Sequence, residues 1–152
     1  MVRFEGLKHL HLKVADVERS ARFYEEGFGM RRFGPSKAGG AFVPLVSPGL
    51  KDQLTLSEGE GESGTAAGAV GEQGGIDHFG FVLSPGSDLE GAVERLQRLG
   101  ATFLKRQDIA EGIPSVFLRD LDGYVFQITQ FPRRAKLYVL LLPVLNWLRR
   151  AA

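Results

Sequence analysis

Two stretches of this chain repeat one another about 70 residues apart, and any fold it adopts must accommodate that duplication. KHLHLKV (residues 8–14) and DHFGFVL (residues 77–83) each set a His ahead of alternating apolar residues, the period of a half-buried strand. Each is followed by an Asp and an amphipathic run that ends in Gly: Asp16 before VERSARFYEEGFG, and Asp88 before LEGAVERLQRLG. That is a helix with an Asp N-cap and a glycine stop. His9 and His78 lie 69 positions apart, Asp16 and Asp88 72, and Gly29 and Gly100 71. Three strands follow each helix, at Met30–Gly34, Ala41–Val46 and Gln53–Ser57 in the first half and Thr102–Lys105, Ser115–Arg119 and Tyr124–Gln130 in the second. The Asp122-Gly123 pair in DLDG marks a turn between the last two. The pattern predicts an α+β protein of two βαβββ modules.

Strand alternation assigns the faces. Leu10, Leu12, Val14, Phe79, Phe81, Leu83, Phe126 and Ile128 are expected in the core, joined by Phe23 and Tyr24 from the first helix, with Glu18, Arg19 and Arg22 in water. The opposite faces carry His9, His11 and Lys13, then His78, Gly80 and Val82, then Val125, Gln127 and Thr129. Two repeated units can curl those faces into one cup. The chain of 152 residues, 43% of them hydrophobic, is long enough for one self-sufficient core. It has no Cys, which removes thiolate chemistry and disulfides, and its net charge of +1 gives no basic face for nucleic acid. The expected organisation is one domain over residues 1–131, with module one at about 6–57 and module two at 76–131. A glycine-rich linker or lid, residues 58–75, joins them. It lacks a GxxxxGK[ST] phosphate loop.

The strings HLHLKVADVERSARFYEEGFGM, GIDHFGFVL and RDLDGYVFQITQ resemble the vicinal oxygen chelate superfamily, which includes glyoxalase I, extradiol dioxygenases, and fosfomycin and bleomycin resistance proteins. The resemblance covers Gly6 to Phe131. It implies paired βαβββ modules around a cleft, a homodimer, and a divalent metal (Fe, Mn, Ni, Co or Zn) held from the first strand of each module and from the last strand. The matching positions are His9, His78 and Gln127, with Thr55 near the fourth place. Gln127 stands where a Glu is usual, so the third ligand brings no charge to the ion. An amide cannot move a proton near neutral pH, and Thr55 offers no carboxylate either, which disfavours glyoxalase I chemistry unless Glu58 or Glu60 swings in.

The resemblance therefore implies a metal-dependent enzyme of the dioxygenase or lyase type, acting on a small substrate that chelates through adjacent oxygens. His11 is the candidate acid or base, and Thr55 and Tyr124 are candidate pocket residues. The alternative is a metal-free binding protein of the bleomycin resistance type, with Gln127 a plain hydrogen-bonding group, His11 lining a wet cleft, and Tyr124 packed over the turn. The N-terminal residues contain no apolar run of signal-peptide length, which predicts a cytoplasmic protein. The tail, residues 132–152, is expected to form an extra helix that docks on the chain or on a partner, or else lies on an anionic membrane surface. Its apolar stretch, Leu137 to Leu148, is 12 residues, short of the ~20 that span a bilayer.

Overall fold

Alternation along HLHLKV gives a strand with one wet face and one dry face, and the same pattern recurs through both halves of the chain. The computed structural model describes residues 7–34, 42–59, 76–109 and 113–132. The elements are β1 (His9–Val14), α1 (Val17–Phe28), β2 (Arg31–Arg32), β3 (Val43–Val46), β4 (Gln53–Glu58), β5 (Phe79–Leu83), α2 (Leu89–Arg98), β6 (Thr102–Arg106), β7 (Ser115–Arg119) and β8 (Val125–Gln130). They form two four-stranded sheets, ordered β1-β4-β3-β2 and β5-β8-β7-β6. In each sheet the first strand runs parallel to the last, and the other pairings are antiparallel. The expected βαβββ repeat is thus present twice. Its edges differ slightly: β2 shortens to two residues, β4 and β6 run one residue further, and His78 and Tyr124 stand just before β5 and β8. Most of the expected linker and the tail beyond Pro132 lie outside the described residues. No described helix is long and apolar enough to cross a membrane.

The ends of α1 follow its sequence. Asp16 accepts a hydrogen bond from the Arg19 amide at 2.9 Å, and Gly29 closes the helix at φ 67°. The second helix departs from expectation. Asp88 holds the N-cap position but makes no side-chain cap bond. Its carboxylate instead leans over Gly91, so close that a Cβ there would stand 2.6 Å from Oδ2.

Both sheets send their apolar faces into one core. Leu12, Val14, Leu45 and Leu56 enter it from the first sheet, and Val116, Leu118, Phe126 and Ile128 from the second, with Leu89, Val93 and Leu96 from α2. The first helix lies against β3 and β4, yet its aromatic side chains reach the other sheet. Phe28 stacks on Phe81 at 4.0 Å between ring centroids and meets Phe126 edge-on at 5.5 Å, while Phe23 meets Phe126 at 6.3 Å. Where α1 meets α2, Gly27 removes the side chain that would strike Leu96, because a Cβ there would stand 2.6 Å from Cδ2.

The turn between β7 and β8 fastens the second module onto the first. Asp122 is buried, and its carboxylate accepts from the Ala15 amide at 2.9 Å, from the Arg19 guanidinium at 2.9 Å and from the Ser20 hydroxyl. Asp120 takes the Tyr24 hydroxyl at 2.6 Å and the amides of Asp122 and Tyr124 at 3.0 and 2.8 Å. Tyr124 closes the junction, donating its hydroxyl to the Lys13 carbonyl at 2.7 Å and accepting from the Lys13 amide at 3.2 Å. Burial raises the Asp120 carboxyl above its ordinary range, against the pull of the Tyr24 hydrogen bond. Burial also pushes the Tyr24 phenol well above its ordinary 10.0, and the Asp120 charge adds to the shift.

Asp122→Ala strands three donors at once and should cost about 2–4 kcal/mol in urea unfolding; a loss within the ~0.5 kcal/mol of a surface change would contradict the fastening role. Because the folded Tyr24 keeps its proton above the unfolded value of 10.0, the stability it contributes is complete below that pH and drains away as pH rises further. The wild type should lose stability more steeply than Tyr24→Phe as the pH rises above about 10 in chemical denaturation. Parallel profiles would refute it.

Candidate functional site

The wet face of the first sheet is set by the register of β1 against β4. His9 stands beside Gln53, His11 beside Thr55 and Lys13 beside Ser57. The His9 and His11 rings lie 6.2 Å apart, and His11 Nε2 is 2.8 Å from the Ser57 hydroxyl. Partial burial, then the Lys13 charge and His9, hold the His11 pKa below its ordinary 6.5, so its imidazole is neutral at pH 7. His9 is exposed, and its ring makes no hydrogen bond among the described residues. Thr55 is buried beneath the pair, accepting from the Gln53 amide at 3.3 Å. Glu58 pairs with Val14, which assigns it to the opposite face from His9, and Glu60 lies outside the described residues.

The wet face of the second sheet carries the other two candidate ligands. Gly80 and Phe117 flank Gln127 in register, and His78, two residues before Gly80, shares their face. The His78 ring sits edge-on to Phe117 at 5.0 Å, and the Lys105 ammonium lies 4.6 Å from the centre of the same ring. His78 Nδ1 is 2.5 Å from the Asp77 carboxylate. A carboxylate only accepts, so Nδ1 carries a proton and Nε2 is the ring nitrogen turned away from Asp77. Gln127 donates its amide hydrogens to Ser115 at 2.5 Å and Thr129 at 3.0 Å. At Gly80 an added Cβ would meet Gln127 at 3.7–3.9 Å, ordinary contact, so the floor beside Gln127 is open.

The chain thus pairs His9 with His11 on one sheet and His78 with Gln127 on the other. The dry faces of both sheets share one core, and both pairs lie on the faces turned away from it. Among the described residues no three His, Asp or Glu side chains gather into a metal-binding group. The buried Tyr124 bonds its hydroxyl to the Lys13 backbone. Asp77, Ser115 and Thr129 are partners that sequence reading missed. Asp77 had a signal in its adjacency to His78, and Thr129 in its i+2 spacing from Gln127, but Ser115 is reached only through the β7–β8 register.

Three solved structures place the fold among known proteins. A glyoxylase/bleomycin resistance protein/dioxygenase domain from Frankia sp. EAN1pec is 25% identical, with a TM-score of 0.64 over 84% of this chain and 98% of that one. A mutant of the fosfomycin resistance protein FosX from Listeria monocytogenes, complexed with Mn(II) and 1S,2S-dihydroxypropylphosphonic acid, is 19% identical, with a TM-score of 0.63 over 83% of this chain and 90% of that one. FosX from Mesorhizobium loti is 20% identical, with a TM-score of 0.60 over 89% and 99%. No curated protein sequence matches the chain. The family model described as Glyoxalase/Bleomycin resistance protein/Dioxygenase superfamily matches residues 6–128.

Removing the Asp77 carboxylate frees the His78 proton to redistribute between the two ring nitrogens. Nitrogen chemical shifts of the His78 imidazole should therefore show an Nδ1–H tautomer in the wild type and a changed population in Asp77→Ala. Identical populations would show that Asp77 does not set the tautomer.

Proposed function

Because the chain belongs to the glyoxalase/bleomycin resistance protein/dioxygenase superfamily, we propose that it is a metal-dependent enzyme acting on a small substrate that chelates through vicinal oxygens. Its site would be assembled by two copies, the His9 and His11 face of one chain closing over the His78 and Gln127 face of the other. The observation that carries this reading is the state of the donors. Asp77 engages His78 at Nδ1 and leaves Nε2 facing away from it, Gln127 Oε1 has no hydrogen-bond partner among the described residues, and the His9 ring is exposed. Two imidazoles and one amide oxygen fit a divalent ion of the Fe, Mn, Ni, Co or Zn type and leave positions for a substrate. When bound, such an ion supplies Lewis acidity toward a chelating pair of oxygens.

The chain's own residues set what else the site can do. His11, neutral and held against Ser57, is the group placed to take or give a proton beside His9. Glu58 stands on the wrong face to serve as a base, so the proton-shuttling isomerisation of a glyoxalase I is not the proposed reaction. Dioxygenase or lyase chemistry asks less of the Gln127 position. A dimer is compatible with the sheet edges, since among the described residues β1 and β5 each pair with one strand and leave a backbone edge that a second copy could meet. One observation favours a second reading: Gln127 brings no charge to offset a dication, which suits a metal-free protein that sequesters a small molecule in a cytoplasmic setting.

The test is complementation between copies, with Mn(II) as probe and electron paramagnetic resonance as readout. The wild type should bind one ion per chain, and His9→Ala and His78→Ala should each bind none. Mixed dimers of the two variants should recover one site per dimer, because His9 of one chain then meets His78 and Gln127 of the other. No recovery in the mixture would sink assembly from two chains. Wild type that takes up none of the five ions would replace the enzyme with the metal-free binder.

A further inference from the structure

The hydroxyl pair beneath Gln127 has a proton count that fixes which end of the amide faces it. Ser115, fully buried, donates its single hydroxyl proton to the Ile128 carbonyl at 3.0 Å, since a carbonyl only accepts. Ser115 and Thr129 are 2.9 Å apart, so that hydrogen bond must use the Thr129 proton. Both hydroxyls then have only lone pairs left for Gln127. Were the amide turned over, its oxygen would face two other oxygens at the 2.5 and 3.0 Å now occupied by Nε2, with no proton between them. The NH₂ end faces the pair, and both of its hydrogens are used.

We propose that Ser115 and Thr129 are positioning residues that lock the Gln127 amide with its oxygen turned away from them, on the wet face that also holds His78. The arrangement is specific for an amide. A carboxylate at this position would meet the same two lone pairs unless the hydroxyl chain reversed and gave up a bond. Gln127 is therefore not a stand-in for an acid but the residue this pocket is built to orient. The orientation follows from hydrogen bonding alone; what the oxygen then does rests on the metal reading above.

Two measurements keep these parts distinct. In metal-free protein, the side-chain amide signal of Gln127, identified by its loss in Gln127→Leu, reports the lock by its hydrogen exchange. Ser115→Ala and the isosteric Thr129→Val should speed that exchange about 2- to 10-fold, the factor one protein hydrogen bond is worth, and Thr129→Ser should restore it. Unchanged exchange in both Ser115→Ala and Thr129→Val would overturn the proposal. The second measurement is the Mn(II) dissociation constant. It should rise about 10- to 100-fold in Ser115→Ala and Thr129→Val, as in Gln127→Leu, and return toward wild type in Thr129→Ser. Equal Mn(II) affinity in wild type and Gln127→Leu would overturn the metal reading, while amide exchange still decides the lock.

Discussion

The architecture depends on burying two aspartates in a turn and satisfying them from the other module. Asp120 and Asp122 sit in the tight connection between β7 and β8, where their main-chain setting is local, but Asp122 takes three hydrogen bonds from residues about a hundred positions earlier. A desolvated carboxylate is costly unless it is fully bonded, so this turn tolerates only one placement of α1. Once α1 is held there, its Phe23 and Phe28 become the filling between the sheets. The polar junction supplies direction, and the aromatic packing supplies most of the contact.

That placement decides what each chain can offer chemically. A core shared by two sheets leaves their other faces turned away from it, and those faces carry the imidazoles and the amide. Each face then prepares its own groups with local partners: Ser57 for His11, Asp77 for His78, and Ser115 with Thr129 for Gln127. Such hydrogen bonds hold these side chains in place on an outward face. They also explain how an exposed strand face can hold well-defined side chains.

Much of this was legible in the residues. Alternation placed His9, His11, His78 and Gln127 on wet faces and Leu12, Val14, Phe126 and Ile128 on dry ones, because a strand's period is a local property. The Asp16 cap and the Gly29 stop were equally local. What could not be read was which faces meet. The pattern HLHLKV says that one side is dry, but not that a helix from the same module will share that side with a second sheet, so a single-chain cup was as natural an expectation as two outward faces. Asp122 read as a turn former, and its inward reach appears only when α1 is beside it. Ser115 carries no signal of its own, since its link to Gln127 runs through the pairing of two strands. Asp88 shows the converse, a good local signal whose carboxylate settled over Gly91 instead.

Gly80 has a consequence for how such a protein can change. It stands in the middle of the outward face, next to Gln127, where a first methyl group meets its neighbours at comfortable distances, whereas Gly27 in the helix junction has no such tolerance. A methyl group can therefore be added to this face without disturbing the scaffold. A lineage built on this frame is free to vary that outward face one carbon at a time while its interior stays put.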